Sequence, residues 1–290
     1  MSAMPVRPTS GLVTDTITFS NVDGPGNRFV VFLQGCNFDC IACHNPYTIN
    51  LCNDCGECVA ICPSGALSFG MLGEVRWDAD TCTDGDACLI TCPYDASPKA
   101  RWLDVADVLA SVRRAAPFLS GITVSGGEAT QQVAFVHALF SAVKADPALQ
   151  RLTCFVDSNG ATEPATWDAL APVMDGAMID LKCLDPAIHL EMTGQPNDAV
   201  LASIVRLHEI GLLYEVRLLL VAGVNDDQTL LRRTAEWLAA IDPAMRVTVI
   251  GYRHHGTRPH SPPLVEPSAG SLNTAADLLR TVARFDVGVV

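Results

Sequence analysis

The chain has 290 residues, 49% hydrophobic and 18% charged, which suits one large α/β domain or a domain with a small insert. Its net charge is −13, with only 19 Lys and Arg, so it lacks the basic footprint of a nucleic-acid-binding protein. No apolar run reaches membrane-spanning length and the N-terminus lacks a secretory pattern, so we predict a cytoplasmic protein without a membrane partner.

Residues 28–34 form the first predicted strand, an apolar run that leads directly into a loop with three cysteines. Cys36, Cys40 and Cys43, here called the loop site, have a C-x3-C-x2-C spacing that differs from zinc-ribbon pairs and from ferredoxin runs. A closed [4Fe–4S] cluster binds four thiolates, so three leave one iron open for a substrate. We predict such an open cluster; the alternative is a structural metal knuckle with a distant fourth ligand.

Residues 47–98 are rich in cysteine and punctuated by Gly and Pro. Ten of the twelve cysteines lie between positions 36 and 92, and such clustering indicates metal binding rather than disulfides. One run has the spacing of bacterial ferredoxins, in which the fourth cysteine binds the other cluster. Its members are Cys52, Cys55, Cys58 and Cys62. The companion run contains Cys82, Cys88 and Cys92.

If the last cysteine of each run binds the cluster of the other run, the two runs predict two cluster sites. The complete site consists of Cys52, Cys55, Cys58 and Cys92. The incomplete site consists of Cys62, Cys82 and Cys88. Gly85 stands where its fourth cysteine is expected, and Asp84 and Asp86 flank this glycine. Two alternatives follow for the incomplete site, a carboxylate-ligated [4Fe–4S] cluster or a [3Fe–4S] cluster.

The cysteine-rich segment is also acidic. Between residues 46 and 100 there are eight carboxylates and two cationic side chains, a net charge of −6. Such a surface repels an acidic electron donor and favours a basic patch on a partner. The alternative is an ordinary solvated surface.

Beyond residue 99, helices alternate with short apolar strands. Helices are predicted at 105–118, 133–145, 164–170, 200–210, 227–240 and 272–283. Strands are predicted at 121–124, 152–156, 177–181, 214–221 and 246–250. This alternation predicts a parallel sheet with helical crossovers, arranged as an incomplete or full barrel with its chemistry at the carboxyl ends of the strands.

Three short motifs follow successive strands at that edge. They are Ser125-Gly126-Gly127-Glu128, Asp157-Ser158-Asn159-Gly160 and Asp180-Leu181-Lys182. Adjacent glycines let the backbone approach a ligand closely, and a carboxylate balances an ammonium group. Each motif alone fits an ordinary turn, but three in order after the cysteine loop indicate one binding site.

The run from Asp23 to Phe32, with Gln34-Gly35-Cys36 and Cys43-His44-Asn45-Pro46, resembles the start of the glycyl-radical-enzyme activating enzymes. These pyruvate formate-lyase activase-like proteins belong to the radical S-adenosylmethionine (SAM) superfamily, and the insert resembles that of the YjjW-type subgroup. The resemblance covers nearly the whole chain. It implies an α/β fold in which residues 1–46 and 99–290 form a partial (β/α)6 barrel. Residues 47–98 would be a two-cluster ferredoxin-like insert.

The resemblance also implies an activity. SAM would bind the open iron, and one electron would cleave it into methionine and a 5′-deoxyadenosyl radical. That radical would remove a hydrogen from a backbone glycine of a partner glycyl radical enzyme, with flavodoxin or ferredoxin as reductant. Two alternatives remain open: a radical SAM enzyme acting on a small molecule or another peptide, and a ferredoxin-like electron-transfer protein.

Site residues follow from the resemblance in the same way. The loop site and Lys182 would be catalytic. SAM would be held by Gly126, Gly127, Glu128, Asp157, Ser158, Asp180, Lys182 and Arg253. Arg253 stands where many activases have a histidine, and its guanidinium can still fork onto a carboxylate. Asp157, Ser158, Met178 and Asp180 would match a monovalent-cation site. Arg28 would line the channel for the glycine loop or belong to a simple N-terminal turn.

Overall fold

The computed structural model describes residues 9–290, and its main feature is one large open sheet. The strands are β1 (Ser10–Ser20), β2 (Arg28–Leu33), β3 (Leu67–Phe69), β4 (Val75–Trp77), β5 (Arg101–Asp104), β6 (Gly121–Gly126), β7 (Thr153–Ser158), β8 (Gly176–Asp180), β9 (Leu213–Leu220), β10 (Arg246–Gly251) and β11 (Asp286–Val289). Nine of them pair in the order β11-β10-β9-β8-β7-β6-β2-β1-β5, and β3 and β4 form a separate hairpin.

The central part of the sheet is parallel, as the alternation of helices and strands predicts. Every pair from β2 through β6, β7, β8, β9 and β10 to β11 is parallel, whereas β1 is antiparallel to both β2 and β5. Strands β5 and β11 lie at opposite edges, so the described strands do not close into a barrel. The carboxyl ends of the parallel strands therefore meet along one edge.

Helices cover the strands as crossover connections. They are α1 (Ala87–Thr91), α2 (Val105–Ala115), α3 (Val133–Ala145), α4 (Pro164–Leu170), α5 (Pro186–Thr193), α6 (Asp198–Glu209), α7 (Gln228–Ile241) and α8 (Ala269–Val282). Short 3₁₀ turns lie at Pro46–Thr48, Ala116–Phe118 and Ala129–Gln132. Among the described residues, no helix is both long and apolar enough to cross a membrane.

One hydrophobic core joins the sheet to its helices. Phe29, Val31 and Leu33 of β2 are buried in it, and each such side chain contributes roughly 1.5–3 kcal/mol. Helix α4 packs on α6, and there the buried Trp167 indole Nε1 donates to Ser203 Oγ at 2.8 Å. The core thus holds the strands rigidly behind the edge that carries the motifs.

The cysteine-rich segment has a small core of its own. Cys58, Leu67 and Cys88 form that cluster, beside the β3–β4 hairpin and α1. The segment begins and ends at neighbouring points, because the Asn50 backbone N–H donates to Asp95 O at 3.0 Å and Asn50 forms a parallel bridge with Ala96. The chain then rejoins the large sheet through β5.

Candidate active site

The loop that carries Cys36, Cys40 and Cys43 is held on both sides by backbone hydrogen bonds. Cys36 N donates to Ile49 O at 3.0 Å, and Asp39 N donates to Thr193 O, at the end of α5, at 2.9 Å. The loop is therefore fixed between the start of the cysteine-rich segment and α5.

The three thiols of the loop site line a cavity of about 250 Å³ at the carboxyl ends of the strands. Burial raises the pKa of each thiol, that of Cys40 to about 12. Such thiols become thiolates only when a bound positive centre compensates them, as iron does. Two donors already point at the Cys36 sulfur: Phe38 N at 3.4 Å and Asn159 Nδ2 at 3.8 Å. Hydrogen bonds to sulfur tune a cluster's reduction potential, so this donor set fits an iron–sulfur cluster.

Within residues 9–290, no group of three His, Cys, Asp or Glu side chains is arranged to hold a metal ion. An iron–sulfur cluster is a larger body than a single ion and keeps its thiolates farther apart. The absence of a single-ion geometry among the described residues therefore does not argue against a cluster at the loop site.

Two glycines at the end of β6 bring the backbone against the stem of this loop. Gly126 has φ +124, and a Cβ on it would lie 2.1 Å from Leu33 N. A Cβ on Gly127 would lie 2.4 Å from Gly35 O. Both glycines line the cavity. Only residues without a side chain fit there, so the double glycine serves close approach, as its sequence position predicts.

Glu128 has a different place from the one that its motif implies. It is fully buried and does not line the cavity. Its carboxylate accepts from Thr130 N at 2.9 Å, Ser158 Oγ at 2.7 Å and Asn159 N at 2.7 Å. Burial raises its pKa, although these hydrogen bonds favour the charged form. In the structure Glu128 ties the end of β6 to the end of β7.

Asp180 and Lys182 both line the cavity. Lys182 Nζ donates to Asp180 Oδ2 at 2.7 Å. Burial alone would lower the pKa of Lys182, but Asp180 and the neighbouring Cys40 raise it. The ammonium group is therefore permanently charged beside the thiols, where it can attract a carboxylate.

Asp157 and Ser158, at the end of β7, also line the cavity, but both already have hydrogen-bond partners in the protein. Arg217 Nη1 donates to Asp157 Oδ1 at 3.0 Å, and Ser158 Oγ donates to Glu128. Arg217 Nη2 lies 2.9 Å from the Met178 sulfur. Burial raises the pKa of Asp157, while Arg217 lowers it. A guanidinium thus occupies the surroundings of two of the four predicted cation ligands.

Arg217 lines the cavity and lies outside the motifs singled out in the sequence. Its Nε donates to Glu215 Oε1 at 2.5 Å, and both side chains are largely buried. The sequence signal was available: two opposite charges at alternate positions of an apolar strand point to the same face of the sheet.

Two arginines that the sequence predicts near the substrate, Arg253 and Arg28, do not line the cavity. Arg253 is exposed and does not line the cavity. Arg28 is fully buried; it donates to Thr123 Oγ1 at 2.6 Å and its guanidinium stacks 4.5 Å from the centre of the Phe155 ring. Since Arg28 has no exposed surface, it supports the strands and does not line a channel.

The four thiols of the complete site line one small cavity in the cysteine-rich segment. Burial raises the pKa of Cys58 to about 11. Cys92, which comes from the companion run, thus meets the three cysteines of the first run. Four thiols that face one cavity are the donor set that a [4Fe–4S] cluster binds.

In the incomplete site, Cys82 Sγ lies 3.6 Å from Asp84 Oδ1. Lys99 Nζ binds Asp86 Oδ1 at 2.8 Å and lies 3.7 Å from Asp84 Oδ1. A Cβ added to Gly85 would have Pro63, the neighbour of Cys62, as its nearest contact at 3.9 Å. The two runs therefore face each other at this point.

The model of the Radical SAM superfamily matches residues 30–234. The chain is 32% identical over 249 residues to the pyruvate formate-lyase-activating enzyme of Streptococcus mutans, covering 85% of this chain and 79% of that protein. It is 31% identical over 252 residues to the isethionate sulfite-lyase activating enzyme of Nitratidesulfovibrio vulgaris, covering 79% and 80%. QueE from Escherichia coli has the same fold, with a TM-score of 0.55 at 11% identity over 97% and 94% of the chains. The chain belongs to the radical SAM superfamily, among its glycyl-radical-enzyme activating enzymes.

Proposed function

We propose that this chain is an activase that generates a glycyl radical on a partner enzyme. The observation that carries the proposal is the loop site, three partly buried thiols that face one cavity together with Gly126, Gly127 and Lys182. When bound, the cluster supplies the electron that cleaves SAM into methionine and a 5′-deoxyadenosyl radical. The radical then takes a hydrogen from a backbone glycine of the partner, and 5′-deoxyadenosine leaves.

The protein's own residues would hold the substrate. The backbone of Gly126 and Gly127 approaches the methionine part closely, and the charged Lys182 attracts its carboxylate. Asp180 and Asp157 provide carboxylates for hydroxyl and ammonium groups. A monovalent cation at Asp157, Ser158, Met178 and Asp180 would require Arg217 to move away from Asp157 and Met178 when SAM binds.

We further propose that residues 9–46 and 99–290 form a partial (β/α)6 barrel and that residues 47–98 are a ferredoxin-like insert of the YjjW type. Residues 1–8 of the predicted barrel domain lie outside the described residues. The insert would carry one [4Fe–4S] cluster at the complete site and a second cluster at the incomplete site. Asp84 is the better candidate for the fourth ligand of the second cluster, because it lies beside Cys82, while Asp86 binds Lys99. A low-potential donor in an anaerobic cytoplasm, flavodoxin or ferredoxin, would reduce the insert.

Anaerobic reconstitution tests the function. With dithionite and SAM, the wild-type protein should yield 5′-deoxyadenosine. Cys40→Ala should produce none, because the two remaining thiolates are too few to hold the cluster. Cys154→Ala is the matched control, since this buried thiol lies in β7 outside the cavity lining. Glycyl EPR on an added partner enzyme separates an activase from an enzyme that acts on small molecules. A loaded wild-type protein that does not cleave SAM would contradict the proposal.

A further inference from the structure

Arg258, in the loop after β10, connects two parts of the chain that are distant in sequence. Its Nη1 donates to Asp95 Oδ2 at 2.7 Å, and its Nη2 donates to Asp39 Oδ1 at 2.6 Å. Nη2 also donates to the backbone carbonyl oxygen of Cys40 at 3.0 Å. One guanidinium thus bridges the cysteine loop and the end of the cysteine-rich segment.

Both ends of this bridge lie beside thiol sites. Cys40 belongs to the loop site. Asp95 follows Cys92 of the complete site by three residues, and the next residue, Ala96, lines the cavity of the complete site. The incomplete site makes a different contact, since its flanking carboxylates Asp84 and Asp86 interact with Lys99.

We propose that Arg258 is a positioning residue that holds the complete site at a fixed distance from the loop site. The complete site is then the cluster that passes electrons to the loop site, and the incomplete site lies earlier in the relay. This inference rests on the proposed function, because it assigns an electron path to the activase.

The chemistry of arginine suits this role. A guanidinium keeps its charge at every working pH and offers two parallel donors to different carboxylates. The Arg258 side chain is 26% exposed and that of Asp95 28%, so this contact is stronger than a fully solvated ion pair. Asp95 has φ +50, a left-handed conformation that is uncommon for non-glycine residues but that aspartate tolerates.

A second set of contacts also holds the end of the cysteine-rich segment against its start. The hydrogen bond from Asn50 N to Asp95 O and the bridge to Ala96 do not involve Arg258. Loss of the guanidinium should therefore loosen this end of the segment without unfolding the segment. Electron transfer slows steeply as the separation of two centres grows, whereas SAM binding at the loop site needs no contact from the segment.

The electron count makes the relay measurable. The reduced cluster of the complete site loses one electron, and that of the loop site gains it. Each SAM cleavage would then consume one electron and release one methionine, and the 5′-deoxyadenosyl radical would take a hydrogen from the glycine of the partner enzyme, present in excess, and leave as 5′-deoxyadenosine. After full reduction of the holoenzyme with dithionite and removal of the dithionite, the first methionine uses the electron already at the loop site. The second requires an electron from the segment.

The test compares the loaded wild type with Arg258→Gln and with the control Arg280→Gln, which removes an exposed ion pair to Asp277 on α8. In Arg258→Gln the ratio of the second-methionine rate to the first-methionine rate should be at least tenfold lower than in the wild type. EPR of the fully reduced enzyme should show a weaker magnetic interaction between the two clusters. Hydrogen exchange of the holoenzyme should be at least tenfold faster in peptides that contain Asn50 or Asp95.

Two further outcomes are also decisive. If Arg258→Gln does not load iron, Asp95→Asn removes only the ion pair between Arg258 and the cysteine-rich segment. This variant should show the same changes in second-methionine rate, magnetic interaction and hydrogen exchange. If the wild type releases no methionine, the proposed function fails, while EPR and hydrogen exchange still test the bridge. Unchanged second-turnover rate, magnetic interaction and exchange in Arg258→Gln would overturn the inference.

Discussion

At the scale of single residues, the incomplete site is where the chain departs most clearly from ferredoxin spacing. Gly85 provides no ligand, and the neighbouring Asp84 carboxylate lies 3.6 Å from the Cys82 sulfur. Carboxylate is a harder ligand than thiolate and donates less electron density to iron. A cluster with this ligand should therefore have a higher potential than one bound by thiolates alone, as replacement of cysteine by histidine also produces.

Gly85→Cys should convert the incomplete site into an all-thiolate site. The added Cβ would meet nothing closer than Pro63 Cγ at 3.9 Å, so the side chain has room. We expect a lower reduction potential for this cluster in a redox titration and a four-thiolate signature in Mössbauer spectra. Asp86→Ala is the control and should leave the wild-type spectrum unchanged. If Asp86→Ala alters the spectrum and Asp84→Ala does not, the ligand assignment is wrong.

At the scale of elements, the ends of the parallel strands build the site. Strand β6 ends in the two glycines, and its neighbours β2 and β7 carry the cysteine loop and Asp157 on the same edge. The Gly127 backbone N–H donates to Leu33 O at 2.8 Å, which fixes the β6 end against the stem of the loop. The positions of the thiols therefore depend on residues that never bind iron.

Gly127→Ala tests this dependence. The added Cβ would lie 2.4 Å from Gly35 O and 2.7 Å from Thr48 O, and these backbone atoms cannot rotate away. We expect a loss of about 1–3 kcal/mol in unfolding free energy from overpacking and at least a tenfold loss of SAM cleavage. Thermal unfolding and a 5′-deoxyadenosine assay measure the two effects. Gly270→Ala on α8, whose Cβ would meet only Ser268 Oγ at 3.6 Å, should have neither. Normal activity in Gly127→Ala would contradict this account.

The sequence predicted the elements whose pattern is local. Helices α3 and α4 have their predicted bounds, and the other predicted helices and strands agree to within three residues. The continuous apolar runs of the parallel strands result from burial on both faces, so they are recognisable in the sequence. Strand β1 and helix α5 were not predicted. β1 is half exposed with mixed polarity, and α5 is short and is marked mainly by its Asp185-Pro186 start.

In the site, too, features with a local sequence pattern were predicted and features that depend on distant residues were not. Spacing alone predicts the loop site, because ligands of one cluster that lie close together in sequence leave a local pattern. Arg258 could not be identified in that way, since its partner Asp95 lies 163 residues away. Arg217 has a local partner in Glu215, but its contact with Asp157 spans 60 residues and leaves no local pattern. Glu128 belongs to a recognisable motif, but its hydrogen bonds to Ser158 and Asn159 depend on the pairing of two strands.

At the scale of the whole molecule, charge is unevenly distributed. The segment between residues 46 and 100 carries −6 of the total −13 in under a fifth of the chain. Arg258 binds Asp95 and Lys99 binds Asp86, but Asp78 and Asp80 are exposed. A protein that delivers electrons to this segment meets a negative surface.

Ionic strength should therefore change the rate of reduction in a direction that depends on the donor. With an acidic donor such as flavodoxin, screening of repulsion should raise the rate between about 0.01 and 0.15 M salt, as the Debye length falls from about 30 to 8 Å. With a donor that has a basic docking face, the rate should fall. Stopped-flow bleaching of the clusters measures both.

The double variant Asp78→Asn with Asp80→Asn should reduce this salt dependence. Glu236→Gln on α7 is the control for a charge change outside the segment and should leave the dependence as in wild type. Rates that do not respond to salt with either donor would show that the acidic segment is only a solvated surface.

The meeting of Asn50 with Asp95 and Ala96 has a consequence for the history of the chain. Because the two ends of the cysteine-rich segment pair side by side, a turn of a few residues would span the gap if everything between them were removed. The neighbouring strands would keep their positions. Acquisition or loss of such a segment in a single genetic event is therefore compatible with the fold of the large sheet.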